Sequence, residues 1–283
     1  MNFRTDLAIE AQGVCKETKG IDYHEQQKDG IKITTIQVLD KSGERATGKP
    51  KGRYVTIETE NFDTADLVDA TLAKALSGEL AKLLPSGNAL VCGIGNSVIT
   101  PDALGPKCVS GVLATRHIGE ELAKTIGFEN LRSVSAVSPG VLGQTGIEIT
   151  EILVGLTRKI NPDFVIAIDA LASRSLARLG KTIQISSTGI VPGSGVHASR
   201  QEISKLTLGV PVIAIGVPTV VDANTLVNDI TQKDTHYPNA SQMMVTPKEI
   251  DLLISRASRL ISHSINCALQ PDIDPDTLLM LTN

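Results

Sequence analysis

The chain has 283 residues, of which 41% are hydrophobic and 20% charged, the composition of an ordinary globular protein of one large domain or two small ones. Aromatic residues make up 2%, with no Trp, three Tyr and four Phe, so the core must be aliphatic and platforms for stacking nucleic-acid bases cannot be built. A net charge of −4 leaves no electrostatic footprint for DNA, RNA or an anionic membrane surface.

The opening Met-Asn-Phe-Arg-Thr-Asp-Leu-Ala is charged and too polar for a signal peptide, and no later run can span a bilayer, so a cytoplasmic protein is expected. Cys15, Cys92, Cys108 and Cys267 form no CxxC pair and read as reduced thiols. Residues 31–39 and 53–58 are β-rich and flank a Gly-, Lys- and Pro-containing stretch, Asp40 to Gly52, which predicts a hairpin with a long solvated loop. Asp66, Leu67, Ala70, Leu72, Ala73, Leu76, Leu80 and Leu83 recur at helical spacing between Asp63 and Leu84, and Pro85-Ser86-Gly87 ends that helix. Strands are then expected at 88–94, 132–137, 164–169, 182–186 and 212–217, with helices at about 103–126 and 147–160. A polar loop at 231–242 precedes a last helix from Pro247 to about Leu269. The Val/Ile/Ala runs are continuous, as in strands covered on both faces. The expected fold is therefore a single α/β domain: a mostly parallel or mixed sheet with helices on both faces, preceded by an N-terminal β-hairpin extension.

In such sheets ligands bind beyond the carboxyl ends of the strands. Strand 88–94 is followed by Gly93-Ile94-Gly95-Asn96-Ser97-Val98-Ile99-Thr100-Pro101-Asp102, where glycines permit a tight turn and Asp102 opens a helix. An acid there also suits a helix amino end for purely structural reasons. Strand 164–169 ends in Asp169, which could simply cap a turn or pair with Arg174 or Arg178, yet a charge after an apolar strand is poorly solvated unless paired or functional. Two carboxylates in one crevice suit water-mediated peptide hydrolysis, one ionised to activate water and one protonated to donate.

Four stretches carry a resemblance: the turn Gly-Ile-Gly-Asn-Ser-Val-Ile-Thr-Pro-Asp-Ala-Leu-Gly-Pro (93–106), the strand end Val-Ile-Ala-Ile-Asp-Ala-Leu-Ala (165–172), Ser-Pro-Gly-Val-Leu-Gly-Gln-Thr-Gly-Ile-Glu (138–148) and Arg-Thr-Asp-Leu-Ala-Ile-Glu-Ala (4–11). In this order, over essentially the whole chain, they resemble the germination proteases of spore-forming bacteria. The first two are more distantly similar to hydrogenase maturation proteases. The resemblance implies a phosphorylase/hydrolase-like fold and an endopeptidase that degrades small acid-soluble spore proteins in the spore core during germination. It further implies a zymogen, a homotetramer, and Asp102 and Asp169 as the catalytic aspartates. The family cuts after an acid followed by a hydrophobic residue and Ala, so Asp6-Leu7-Ala8 implies self-processing between Asp6 and Leu7, with residues 1–6 as propeptide and 7–283 as the peptidase domain. Phe3 departs from the acid preferred four positions before a cut, which implies slow processing.

A cleft that selects acidic side chains needs cations, and Arg174, Arg116, Lys107, Arg178 and Arg200 follow strand ends; Arg174, five residues past Asp169, is singled out. No cofactor or metal is expected: His24, His117, His197, His236 and His263 show no paired ligand spacing. Two other readings stand beside the peptidase. A metal-dependent maturation-type peptidase would use His197 with the two aspartates. A nucleotide-binding module would use Gly193-x-Gly195-x-x-Ala198, which fits a dinucleotide fingerprint only loosely. There is no Gly-x-Ser-x-Gly elbow, and Cys108 falls inside a predicted helix, so a Ser or Cys nucleophile is not expected.

Overall fold

The computed structural model describes residues 5–14, 19–59, 68–125, 127–128, 130–193, 201–231, 237–240 and 243–282. The chain begins with α1 (Ala8–Val14), β1 (Ile21–Lys28), β2 (Ile31–Val38), α2 (Lys41–Thr47), β3 (Gly52–Glu58) and α3 (Ala70–Ala81). It continues through β4 (Ala89–Ile94), α4 (Leu104–Ser110), α5 (Glu120–Thr125), β5 (Val134–Gly140), α6 (Leu142–Thr145), α7 (Ile149–Ile160) and β6 (Phe164–Ser173). The last elements are β7 (Thr182–Ser186), α8 (Lys205–Leu208), β8 (Val212–Asp222), α9 (Ala223–Thr231), β9 (Met244–Val245), α10 (Ile250–Leu269) and α11 (Pro275–Thr282).

Among the described residues these strands make one nine-stranded sheet in the order β1-β2-β3-β7-β8-β6-β4-β5, with β9 pairing the far end of β8. The half containing β8, β6, β4 and β5 is parallel, and the half from β1 to β7 is antiparallel, joined to it where β7 meets β8. On one face Ile57, Val91, Ile166, Ile183 and Ile215 pack under Leu76 of α3, Leu104 of α4 and Ile261 of α10. On the other, Cys92, Val165 and Ala167 meet Leu153 of α7 and Leu208 of α8, while Leu7, Ala8 and Ile9 cover Ile36, Tyr54 and Leu171. The α/β expectation of a mixed sheet with helices on both faces therefore holds.

Several boundaries differ, each for a local reason. The stretch 40–52 is not a plain loop: Asp40 accepts the N–H groups of Ser42 and Gly43, and Gly48 closes α2 in the left-handed region. The hairpin is no appendage, because β3 pairs with β7 and extends the main sheet. The helix expected over 103–126 is two helices. It stops at Gly111, whose carbonyl accepts Asn266 Nδ2, and the chain then crosses to β5, where the N–H groups of Thr115 and Arg116 meet the Val134 carbonyl. The helix expected over 63–84 is described from Ala70, capped by Asp69, and residues 60–67 lie outside the described residues. Part of the expected loop at 231–242 also lies outside them. β5 runs on to Gly140 through Pro139, which an edge strand tolerates.

His263 of α10 is buried, and burial holds its imidazole below the ordinary 6.5 despite the opposing charge of Asp276. The unfolded chain takes up this proton near pH 6.5 and the folded chain only at lower pH, so stability from this group falls as pH drops through that value. Urea unfolding followed at pH 7 and pH 5 is expected to show the loss, and His263→Gln to remove this share of it.

Candidate active site

β4 ends at Ile94, and the chain reverses through Gly95 at φ 121°, where a Cβ would lie 2.0 Å from the Asp102 carbonyl oxygen. Only glycine suits that turn. It carries the chain into a single 3-10 turn, Thr100–Asp102, ahead of α4. The Asn96 N–H donates to the Asp102 carboxylate at 2.8 Å, and Asn96 Oδ1 accepts from the Val98 N–H at 3.0 Å and from Gln144 Nε2 at 2.6 Å. The stretch 138–148 is thereby fastened to the turn 93–106. Thr219 Oγ1 of β8 donates to the Pro101 carbonyl at 2.8 Å, tying the same turn to the sheet.

Asp169 is not at the end of its strand; it is the sixth residue of the ten in β6. It lies one residue past the end of the pairing with β4, which runs only as far as Gly93 opposite Ile168. Gly105, in the first turn of α4, presses on this junction: a Cβ there would lie 2.3 Å from the Ile94 carbonyl and 2.6 Å from that of Ile168. Asp102 precedes Gly105 by three residues and Asp169 follows Ile168, so Asp102 lies in the turn after β4 and Asp169 on the neighbouring strand just past their pairing. Asp169 is 4% exposed and accepts the Ala170 N–H at 2.9 Å. Burial, and secondarily the negative charge of Asp169, push the Cys92 thiol up to about 12. Burial alone also raises Cys108, so neither thiol is a nucleophile at neutral pH.

A feature missed in the sequence runs across the sheet from Asp169. Asp169 pairs with Gly216 of β8, Gly216 with Gln184 of β7, Gln184 with Thr56 of β3, and Thr56 with Thr34 of β2. In register, these side chains share one face, and Thr34, Thr56, Gln184 and Asp169 are all buried. A polar residue or glycine inside each run carried the signal, but pairing register is not readable from a single strand.

The amino-terminal segment lies on this face. Asp6 N–H donates to the Ala172 carbonyl at 3.0 Å, and Ala172 N–H returns a 2.8 Å bond to the Asp6 carboxylate. The Asp6 carbonyl accepts Lys49 Nζ and Gln184 Nε2, each at 3.0 Å, and Gln184 Oε1 accepts the Ala8 N–H at 2.6 Å. Leu7 and Ala8 are fully buried. Glu10 accepts Thr5 Oγ1 and the N–H groups of Arg174 and Ser175, the last two at 2.7 and 2.9 Å. Burial lowers the Lys49 ammonium below its usual range, opposed by the charges of Asp6 and Glu10. A cavity of about 220 Å³ opens beside this contact, lined by Asp6, Lys49, Tyr54, Gln184, Glu202 and Gly216.

The cations singled out in the sequence are not gathered at one point. Arg174 ends up beside Glu10 at the close of β6, and Lys107 is exposed on α4. Arg116 is exposed where its N–H meets Val134, the first residue of β5, a strand's length of about 20 Å from the carboxyl end. Arg178 is half-buried behind the end of β6. His197, Arg200, Cys15, His236 and most of the 193–198 loop lie outside the described residues. Among the described residues no three His, Cys, Asp or Glu side chains converge as a metal site, and no helix is long and apolar enough to cross a membrane.

Comparison with known proteins adds the family to this geometry. Residues 4–236 match the family described as germination protease. A germination protease from Caldanaerobacter subterraneus subsp. tengcongensis is 47% identical, covering 96% of each chain. That from Clostridium tetani is 42% identical over 97% of each, and that from Priestia megaterium 36% identical over 96% of this chain and 95% of the relative. Among solved structures, a NiFe hydrogenase maturation protease from Thermococcus kodakarensis shares 18% identity at a TM-score of 0.37, covering 68% of this chain and 98% of that one. The family relationship defines a hydrolase of the peptidase class. More narrowly, the chain belongs to the germination protease family, and it is a protease of spore germination.

Gly95→Ala sets a Cβ against the Asp102 carbonyl at a φ that L side chains avoid, a strain of about 1–3 kcal/mol. It is expected to lower the thermal midpoint and reduce peptidase activity at least tenfold, while Gly119→Ala, with no atom within 4 Å of its added Cβ, leaves both unchanged.

Proposed function

We propose that this chain is an endopeptidase that degrades small acid-soluble spore proteins in the spore core, cutting after acidic residues with water activated between Asp102 and Asp169. The observation that supports the reading is the placement of Asp102 in the turn after β4 and of Asp169 on the neighbouring parallel strand β6, one residue past the end of their pairing. In this reading Asp169 takes the role of acid, donating to the carbonyl oxygen or leaving nitrogen. Asp102, half-exposed and held by a backbone N–H, takes the role of base. Water adds to the scissile carbonyl as Asp102 accepts its proton, and the C–N bond breaks as the nitrogen is protonated. Lys107 and Arg174 lie close enough to the strand ends to attract acidic stretches of substrate.

The same activity accounts for Asp6-Leu7-Ala8 as a self-processing site, with residues 1–6 as propeptide, in a homotetrameric zymogen. Because Leu7 is fully buried, the segment must lift from β6 before its bond can reach the two aspartates.

Asp102→Asn and Asp169→Asn are each expected to cut turnover of an acidic spore-protein peptide by about 100- to 10,000-fold with an unchanged circular dichroism spectrum. Retention of substantial activity by either variant would overturn the assignment. Intact-mass measurement over time is expected to show loss of residues 1–6 from the wild type and not from Asp102→Asn. Glu10→Gln, which weakens the hold on Arg174 and Ser175, should accelerate that loss.

A further inference from the structure

β8 is irregular where it passes the Thr100–Asp102 turn. There β6 advances one residue, from Leu171 to Ala172, while β8 advances two, from Pro218 to Val220, so Thr219 is an extra residue without a partner on β6. A bulge of this kind re-aims the side chain it carries. It also accounts for Pro218, which a regularly paired inner strand excludes and a bulge admits. Thr219 is fully buried in an otherwise apolar run, where a hydroxyl is costly unless bonded, and it donates to the Pro101 carbonyl at 2.8 Å. We propose that Thr219 is a positioning residue for peptide hydrolysis, set on the bulge of β8 to fix the backbone of Asp102. The inference deepens the peptidase reading above and rests on it for the part that Asp102 plays.

The geometry is that of one peptide plane held on both sides. The Pro101 carbonyl and the Asp102 N–H belong to the same planar unit and point in opposite directions across it. Thr219 holds the carbonyl at 2.8 Å, and the Ile99 carbonyl accepts the Asp102 N–H at 2.8 Å, so the plane cannot swivel without breaking one of the two bonds. Together they set where the Asp102 Cα stands, and the Asn96 N–H, 2.8 Å from the carboxylate, then sets which way the side chain turns. Thr219 is itself braced. Thr246 Oγ1, in the residue after β9, donates to the Thr219 carbonyl at 2.9 Å, and the Gly180 N–H donates to the Pro218 carbonyl at 2.8 Å. The bulge is pinned at both of its residues, and the Pro101 carbonyl meets a donor that is fixed in place.

A base acts on water only within hydrogen-bond reach of it, and a misplacement of about 1 Å can cost ~100-fold in rate. Thr219 touches neither water nor substrate in this scheme; it acts through the backbone of the residue that does. Valine keeps most of the shape of threonine and lacks the donor, so Thr219→Val leaves the bulge filled and releases the Pro101 carbonyl. Serine keeps the donor and gives up a methyl group. The pair of variants therefore separates the hydrogen bond from the packing around it.

The test uses the full-length chain and reads the turn in two ways. Hydrogen exchange followed by mass spectrometry needs no substrate: Thr219→Val is expected to speed exchange in the fragment carrying Asp102 by about tenfold or more, and Thr219→Ser to leave it within about threefold of the wild type. With an acidic spore-protein peptide, kcat is expected to fall by about tenfold or more in Thr219→Val, with KM changed by less than about twofold, and to be restored by serine. In a chain that already carries Asp102→Asn, Thr219→Val is expected to cost nothing further, because the group it positions is gone. If Thr219→Val does not fold by circular dichroism, Thr219→Cys, a weak donor, takes its place. Unchanged exchange or an unchanged kcat in the folded variant, an equal loss in Thr219→Ser, or a loss of the same size beside Asp102→Asn each overturns the positioning role and leaves the peptidase reading standing. Faster exchange in a protein whose wild type cleaves no peptide, or whose Asp102→Asn form keeps full activity, sinks the peptidase reading instead and leaves Thr219 as an anchor of the turn with no part in turnover.

Discussion

The contact on which this architecture depends is the approach of Gly105 to the junction of β4 and β6. With no side chain, the backbone of α4 settles within van der Waals range of the Ile94 and Ile168 carbonyls, closer than any other residue permits. That closeness fixes the height of the 3-10 turn before it, and with it the place of Asp102 above the sheet. Gly95 makes the return possible at the other end of the loop, and Thr219 and Gln144 fasten the loop from β8 and from the segment after β5. Every fastening uses a backbone group or a short polar side chain, which limits how far the Asp102 carboxylate can wander. Asp169 is held differently, on a strand that is paired at that point with β8 through Gly216.

The amino-terminal segment is held by two kinds of force that act on different residues. Burial of Leu7 contributes about 1.5–3 kcal/mol of hydrophobic stabilisation. Asp6 and Glu10, by contrast, are held by hydrogen bonds and by the charge of Lys49, whose burial would otherwise be costly. The apolar contacts therefore begin at Leu7 and continue into the helix that follows, while polar contacts at Asp6 and Glu10 flank them on either side.

How much of this could be read in the sequence follows from the range of each interaction. β7 was legible to the residue and α7 and α10 closely so, because runs of aliphatic residues and helical spacing are local signals. That Asp102 opens a turn after β4 was legible in the glycines before it, whereas Asp169 was expected at a strand end and lies inside β6. The full length of β6 was not, since Ala170 to Ser173 extend it through pairing with β8 and not through their own propensity. β1 escaped notice because Asp22-Tyr23-His24-Glu25-Gln26-Gln27 carries no burial pattern; it is a strand only because β2 offers an edge. Lys49 lay in a stretch that looked solvated, and its contacts depend on the amino-terminal segment meeting it from far along the chain.

The two margins of the sheet bear on how copies of this chain can associate. β1, at one margin, is mostly exposed and carries Asp22, His24, Glu25 and Lys28, while β5, at the other, contains Pro139 and a register shift against β4. Ion-bearing side chains on one side and a missing N–H with a bulge on the other both discourage a further strand from adding on. Neither margin of the sheet therefore offers a further strand an easy place to add.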